Sequence, residues 1–171
     1  MKHTCKRILA LEIRRHRIGF AVLEGRKRLL DYGVGSYTSR SSILRYLDRI
    51  IPTFGPEIIA VRRAQQKNVS DRRATSETFT IVRAAAEQRA IPIEFIANEE
   101  VKLAFQQTAA RNKDEIATAV TKMFPELRWK LPRERKPWIS EGYHMIMFDA
   151  VATAITICVR LERKAVYTGG V

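Results

Sequence analysis

Two acidic residues lie within segments that are otherwise apolar. Glu12 ends the segment ILALE, and Asp149 lies in the segment MIMFDAVATAITIC. A carboxylate in such a segment has a desolvation cost, so it requires a metal ion, an ion-pair partner or solvent. Two carboxylates from different elements can bind Mg²⁺ or Mn²⁺, which prefer oxygen ligands. The arginines that follow Glu12 offer an ion pair instead, and the residues alone leave both alternatives open.

Arg62 bears on this choice because it directly follows the apolar segment EIIAV. A guanidinium group cannot ligate a metal ion, so an Arg62 that points at Glu12 and Asp149 would occupy the position of a cation. The alternative is an arginine that faces solvent or a nucleic-acid phosphate. Two-metal phosphodiester hydrolysis normally needs more than two acids. If the helix around Asp149 extends back to Glu141, that acid lies roughly 12 Å away along the axis, too far to share an ion.

The chain carries a large excess of positive charge. It has 31 Lys and Arg against 18 Asp and Glu, a formal net charge of +13. Such a surface favours a polyanion, most often nucleic acid, although the charge can also be incidental. Phosphate contacts of this kind give affinity with little sequence specificity. The candidate contacts are Arg14, Arg15, Lys67, Arg72, Arg73, Lys102 and Lys113.

Apolar segments with turn residues between them predict an α/β fold. The predicted strands are Arg7–Ile13, Ile18–Leu23, Leu29–Val34, Glu57–Val61 and Ile91–Ile96. The predicted helices are Ser39–Ile51, ended by Pro52; Thr75–Ala90; a short helix from the cap Asn98 to Phe105; one opened by Arg111 and Asn112; and Tyr143–Arg160. A meander of three strands followed by two parallel strands predicts a five-stranded mixed sheet flanked by helices, the order expected of a ribonuclease-H-like domain.

Length and cysteine content predict one cytoplasmic domain. We expect a single domain over residues 1–171, with a core at about 7–160 and a loose C-terminal tail. Cys5 and Cys158 lie far apart, which is typical of reduced thiols in the cytoplasm. The first apolar segment breaks at Glu12, unlike a signal peptide, and no segment approaches the roughly 18 apolar residues of a membrane span.

Five segments in order resemble the RuvC-type crossover (Holliday) junction resolvases of the ribonuclease-H-like superfamily. They are ILALEIRRHRIGFAV, IIAVRRAQQKN, TFTIVRAAAEQRAIPIEFIANEEVKLAF, RNKDEIATAVTKMF and FDAVATAITIC, within about residues 7–159. The resemblance implies a Mg²⁺- or Mn²⁺-dependent endonuclease that acts on branched or duplex DNA. It also implies a homodimer, with the Thr75–Ala90 helix at its interface.

The resemblance assigns candidate catalytic residues but leaves two acid positions without an acid. Glu12 and Asp149 stand at the positions of the first and last acids, which are catalytic and bind metal. Arg62 stands at the position of the second acid, and Ile146 at that of an extra acid one helical turn before the last. A cation in place of a metal-binding carboxylate changes the local charge by two and weakens Mg²⁺ binding.

The resemblance also assigns candidate nucleic-acid contacts. Arg14 departs from the family, which has a glycine after the first acid, so Arg14 is a candidate contact by its charge alone. Lys67 and Asn68 remain from the loop that enters the junction, and Lys102 and Lys113 match basic positions near the scissile phosphate.

Three functions therefore compete. The first is a junction endonuclease, in which Glu57, Glu77 or Glu141 completes the acid site. The second is a non-catalytic DNA- or RNA-binding module of the same fold, and the third is a protein-interaction scaffold. We hypothesise that Arg62 pairs with Glu12 or Asp149 and stabilises a site without metal.

Overall fold

A computed structural model describes residues 6–62, 68–133, 136 and 141–168. The strands are β1 (Arg7–Arg14), β2 (Arg17–Glu24), β3 (Arg28–Ser36), β4 (Ile58–Arg62) and β5 (Ile93–Ile96). The α-helices are α1 (Arg40–Phe54), α2 (Val69–Gln88), α3 (Asn98–Ala104), α4 (Lys113–Met123) and α5 (Met145–Thr168). Short 3₁₀ helices cover Gln106–Thr108 and Pro125–Lys130. Within this part of the chain, no helix is both long and apolar enough to span a membrane.

The five strands form one mixed sheet in the order β3-β2-β1-β4-β5. Strands β1, β2 and β3 pair antiparallel, whereas β4 pairs parallel with both β1 and β5. The predicted five-stranded mixed sheet, a meander extended by two parallel strands, is therefore confirmed. The register places Glu12 between Gly19 of β2 and Arg62 of β4.

Alternation along β1 divides its side chains between two cores, because successive residues of a strand point to opposite faces. Ile8 and Ala10 belong to the core that also contains the buried residues of α3, α4 and α5. Leu9 and Leu11 belong to the core on the other face, with the buried residues of α1 and α2. Glu12 continues the first series, so its carboxylate lies on the face that α5 covers.

Helix α5 approaches the sheet at a glycine. A Cβ atom added to Gly19 would lie 2.2 Å from the carbonyl oxygen of Ile146. The side chain of Ile146 is itself buried. Any larger residue at position 19 would therefore push the start of α5 away from β2. Asp149 follows Ile146 by about one helical turn, and the close approach brings it to the side of the sheet where Glu12 ends its apolar strand.

Several predicted helix boundaries are wrong, for local reasons. Helix α1 continues through Pro52 to Phe54, and Gly55, with φ of 55°, ends it by donating its N–H to the carbonyl oxygen of Ile51. Helix α2 begins at Val69 rather than Thr75, because the side chain of Asn68 caps it.

Two further boundaries also differ from the prediction. Asn98 is the first residue of α3 rather than its cap, and the residue before the helix is Ala97. Helix α5 begins at Met145 and extends to Thr168, and residues 141–144 before it, including Glu141, are not helical.

Candidate functional site

Six charged side chains meet at the carboxyl end of β1. We call them the charge cluster: Glu12, Arg14, Arg62, Lys113, Glu141 and Asp149. Arg14 contacts all three acids. Its Nε donates to Oε1 of Glu12 at 3.2 Å, Nη2 to Oδ2 of Asp149 at 2.9 Å, and Nη1 to Oε2 of Glu141 at 3.2 Å. Arg14 therefore joins strand β1 to helix α5 and to the segment before it.

Arg62 supplies the second link to Asp149. Its Nη1 donates to Oδ1 of Asp149 at 3.0 Å, which confirms the hypothesised contact with that acid. Its Nε donates to Oδ1 of Asn98 at 2.8 Å and lies 4.0 Å from Oε2 of Glu12. Arg62 is 5% exposed, so the guanidinium is held inside the protein by these partners and does not face solvent.

Lys113 completes the cluster from the first residue of α4. Its Nζ donates to Oδ2 of Asp149 at 3.0 Å and to Oε1 of Glu141 at 3.1 Å. The position is fixed because Asn112 caps α4, accepting the N–H of Glu115 at 2.9 Å. The charge cluster thus contains three acids and three bases, and its net charge is zero when all six groups are ionised.

Burial changes the protonation of Glu12. The loss of solvation, with the charge of Asp149 adding to it, raises the pKa of Glu12 from 4.5 to about 7, although Arg62, Arg14 and Lys113 oppose the rise. Oε2 of Glu12 is buried and has no hydrogen-bond partner in the described part of the chain. Burial also disfavours ionisation of Glu141, but Lys113 and Arg14 outweigh it and lower the pKa of Glu141.

The donor set does not fit a divalent cation. Both oxygens of Asp149 accept hydrogen bonds from cationic side chains, and Oε1 of Glu12 accepts one from Arg14. Mg²⁺ and Mn²⁺ require several free oxygen ligands. Among the described residues, no group of three or more His, Cys, Asp or Glu side chains is arranged to hold a metal ion. Metal binding by Glu12 and Asp149 would require Arg14, Arg62 and Lys113 to leave.

The three acids that could complete the acid site lie in different regions of the structure. Glu141, which would lie about 12 Å from Asp149 on a continuous helix, lies in the cluster because residues 141–144 precede α5 and are not helical. Glu57 accepts the backbone N–H of Arg7 at the opposite end of β1. Glu77 pairs with Arg73 on the surface of α2, at 3.3 Å. Of these three acids, Glu141 alone joins Glu12 and Asp149.

The candidate nucleic-acid contacts fall into two groups. Arg14 and Lys113 belong to the charge cluster. Outside the cluster, Arg15 pairs with Asp71 at 3.4 Å, Arg73 with Glu77, and Asn68 caps α2. Arg72 and Lys102 are exposed on α2 and α3, and Lys67 lies outside the described residues.

Sequence reasoning missed two members of the site. Asn98 was interpreted as a cap, whereas its side chain orients Arg62. The distance of roughly 12 Å between Glu141 and Asp149 holds only for a helix that includes residue 141, whereas α5 begins at Met145. Arg14 was detectable as a cluster member, since the alternation of β1 puts residues 12 and 14 on the same face.

The sheet order, with one acid near the carboxyl end of β1 and another on α5, is that of a ribonuclease-H-like fold. Two curated relatives are named crossover junction endodeoxyribonuclease RuvC. The relative from Saccharopolyspora erythraea is 27% identical over 129 residues, 68% of this chain and 65% of the relative. The relative from Pseudarthrobacter chlorophenolicus is 33% identical over 78 residues, 45% and 41% respectively. The chain therefore spans less than two thirds of their length.

Solved structures agree on the fold. A Thermus thermophilus RuvC in complex with a Holliday junction substrate gives a TM-score of 0.71 at 18% identity, over 92% of this chain and 96% of that one. A yeast mitochondrial Holliday junction resolvase gives 0.57 at 12% identity, over 93% and 81%. No protein-family model matches the chain. The chain is therefore similar in part of its sequence to RuvC-type resolvases, and it shares their fold.

Proposed function

We propose that the protein binds branched DNA through its RuvC-type fold and does so without metal-dependent cleavage. The observation that carries this proposal is the buried 3.0 Å contact between Arg62 and Asp149. It ties one of the two candidate metal-binding acids to a permanent cation. Glu12 and Asp149 are in this proposal ion-pair partners rather than catalytic residues.

Charge balance supports the absence of metal. With three bases present, the acids of the cluster are neutralised even when Glu12 is ionised, and protonation of Glu12 leaves an excess positive charge. An added divalent cation would leave a net charge of two in a site that is largely closed to solvent, where charges a few ångströms apart interact strongly. The raised pKa of Glu12 has the same consequence, since its neutral form is a poor metal ligand.

The position of the exposed basic residues supports DNA binding. Strands β1, β4 and β5 are parallel, so their carboxyl ends lie at one edge of the sheet. Arg15 follows β1, Arg72 and Arg73 lie in the helix after β4, and Lys102 lies in the helix after β5. Together with the net charge of +13, this arrangement suits the phosphates of a nucleic-acid backbone.

Binding and cleavage of a four-way junction test the proposal directly. We expect tighter binding to the junction than to a duplex of equal length, in EDTA as well as in Mg²⁺ or Mn²⁺, with affinity that falls steeply as salt increases. We expect no cleavage product with either metal. Binding no tighter than to heparin, an unrelated polyanion, would favour the interaction scaffold.

A metal-dependent junction endonuclease is the second candidate, because Glu141 does bring a third acid to Glu12 and Asp149. Its signature is cleavage of the junction in Mg²⁺ or Mn²⁺ that Glu12→Gln abolishes. That result would overturn the non-catalytic proposal while leaving DNA binding in place.

The proposal includes a homodimer acting in the cytoplasm. A four-way junction offers two equivalent faces, which a two-fold dimer can match. Helix α2 is the expected interface, and its exposed side includes Glu77, Thr80 and Arg83. Sedimentation at micromolar concentration tests this, and a monomer there would contradict it.

A further inference from the structure

Glu141 closes the charge cluster towards solvent. Its two carboxylate oxygens contact two different cations, Oε2 with Nη1 of Arg14 at 3.2 Å and Oε1 with Nζ of Lys113 at 3.1 Å. The side chains of Glu141, Arg14 and Lys113 are 25%, 25% and 36% exposed, against 5% for Asp149. The contacts of Glu141 are therefore the ones that an incoming molecule can reach.

A phosphodiester can make the same contacts. It carries one negative charge and presents two unesterified oxygens, which accept hydrogen bonds from guanidinium and ammonium groups as a carboxylate does. We propose that Arg14 and Lys113 form a phosphodiester-binding pair, which Glu141 occupies in the free protein and a DNA phosphate takes over. This inference rests on the proposed binding of DNA and adds a self-blocking contact at that site.

The two cations stay in place when Glu141 leaves. Arg14 keeps its 2.9 Å contact with Asp149, and Lys113 keeps its 3.0 Å contact with the same oxygen. Asp149 is in turn fixed on α5 and held by Arg62. The pair is thus arranged for an anion before DNA arrives, which reduces the entropy lost on binding.

Glu141 is the acid of the charge cluster that a phosphodiester can replace. Glu12 and Asp149 lie in regular elements and are buried, whereas Glu141 precedes α5 in a stretch without regular structure. When Glu141 departs, a cluster with every group ionised changes from neutral to a single positive charge. One phosphodiester restores neutrality, whereas loss of Asp149 would leave Arg62 buried without its ion-pair partner.

Substitution of Glu141 tests the inference, with a matched control for net charge. Glu141→Gln removes the competing charge and keeps the size of the side chain. Glu162→Gln makes the same change at an exposed acid of α5. Glu162 lies 3.5 Å from Arg26, and Arg26 belongs to the turn after β2, at the opposite end of the sheet. Both variants are titrated with a fluorescent four-way junction at several salt concentrations, after circular dichroism has confirmed folding.

We expect Glu141→Gln to bind the junction five- to tenfold more tightly than the wild type, and Glu162→Gln to change affinity less than twofold. Adding Lys113→Gln to Glu141→Gln should remove most of the gain, since one member of the pair is then absent. A gain at Glu141 no larger than that at Glu162, in a wild-type protein that binds junctions, would overturn this inference alone. A wild type that binds no DNA would overturn the proposed function as well.

Discussion

The two ends of strand β1 carry ion pairs of the same chemistry in opposite environments. At the amino end, Arg7 pairs with Glu24 at 2.9 Å, and the hydrogen bond from Arg7 lowers the pKa of Glu24. At the carboxyl end, Arg14 pairs with Glu12 at 3.2 Å, yet burial raises the pKa of Glu12 to about 7. An arginine partner therefore does not by itself decide the ionisation of a glutamate, because desolvation can outweigh it.

The cause of the difference is the helix that covers one end. Helix α5 meets the sheet at Gly19, which pairs with Glu12, and this close approach excludes water from the acid. Glu24 sits at the end of β2 and remains accessible to solvent. The same strand thus carries an exposed ion pair and a buried charge cluster, and the two can be perturbed in parallel.

The largest effect on the free energy of unfolding is expected from loss of the Arg62 side chain. Arg62→Met keeps an apolar stem but leaves Asp149 without its buried guanidinium partner, which should lower the free energy of unfolding by about 3 to 5 kcal/mol. Arg7→Met at the exposed end should cause a much smaller loss, because exposed ion pairs contribute little. Urea unfolding of both variants measures the contrast, and equal losses would contradict the role assigned to burial.

The second effect is a dependence of stability on pH. The folded chain keeps a proton on Glu12 up to about pH 7, whereas the unfolded chain loses it near the reference pKa of 4.5. The folded state binds more protons across this interval, so stability falls as the pH rises through it. The rise in pKa corresponds to about 3 kcal/mol.

Glu12→Gln isolates that contribution. Its free energy of unfolding should lack the fall between pH 4.5 and 7 that we expect of the wild type. Glu24→Gln is the matched variant. The lowered pKa of Glu24 gives stability that is present above the unfolded pKa and lost only in more acidic solution, so this variant should retain the fall. Parallel curves for the wild type and Glu12→Gln would refute the raised pKa.

A third effect comes from reversing the charge at position 62. Arg62→Glu would give the cluster four acids against two bases, which favours a divalent cation. We expect this variant to be unstable in EDTA and to gain about 2.7 kcal/mol when Mn²⁺ is a hundredfold above its dissociation constant. The wild type and Arg62→Gln should gain nothing beyond the effect of ionic strength. Stabilisation of the wild type by Mn²⁺ would show that the native cluster does take metal.

The sequence predicted the sheet, and with it the meeting of Glu12 and Arg62. Five apolar segments and their order sufficed, because both apolar segments lead into a charged residue and parallel pairing of the two strands brings these residues together. The position of Asp149 followed from its isolation on an apolar helix. These inferences rest on periodicity and burial, which are local properties of the sequence.

The remaining members of the site depend on tertiary contacts that no local pattern encodes. Glu141 reaches the cluster because α5 begins four residues later, a boundary without a capping signal in the sequence. Asn98 resembles a helix cap, and its contact with Arg62 depends on how β4 and β5 align. Positive charge makes Arg14 a candidate DNA contact and the resemblance makes Lys113 one, whereas in the free protein both contact carboxylates.

The smallest effect on stability is expected from Lys113, the most exposed of the three bases in the charge cluster. Its side chain is 36% exposed, so water partly screens its contacts with Asp149 and Glu141. Lys113→Met should therefore lower the free energy of unfolding by only about 1 to 2 kcal/mol, since Arg62 and Arg14 still neutralise Asp149. The loss should shrink in 1 M NaCl, where the loss from Arg62→Met should persist, because salt screens exposed charges more than buried ones. Urea unfolding at low and high salt checks this order, and a loss for Lys113→Met as large as that for Arg62→Met would show that the cluster is equally shielded throughout.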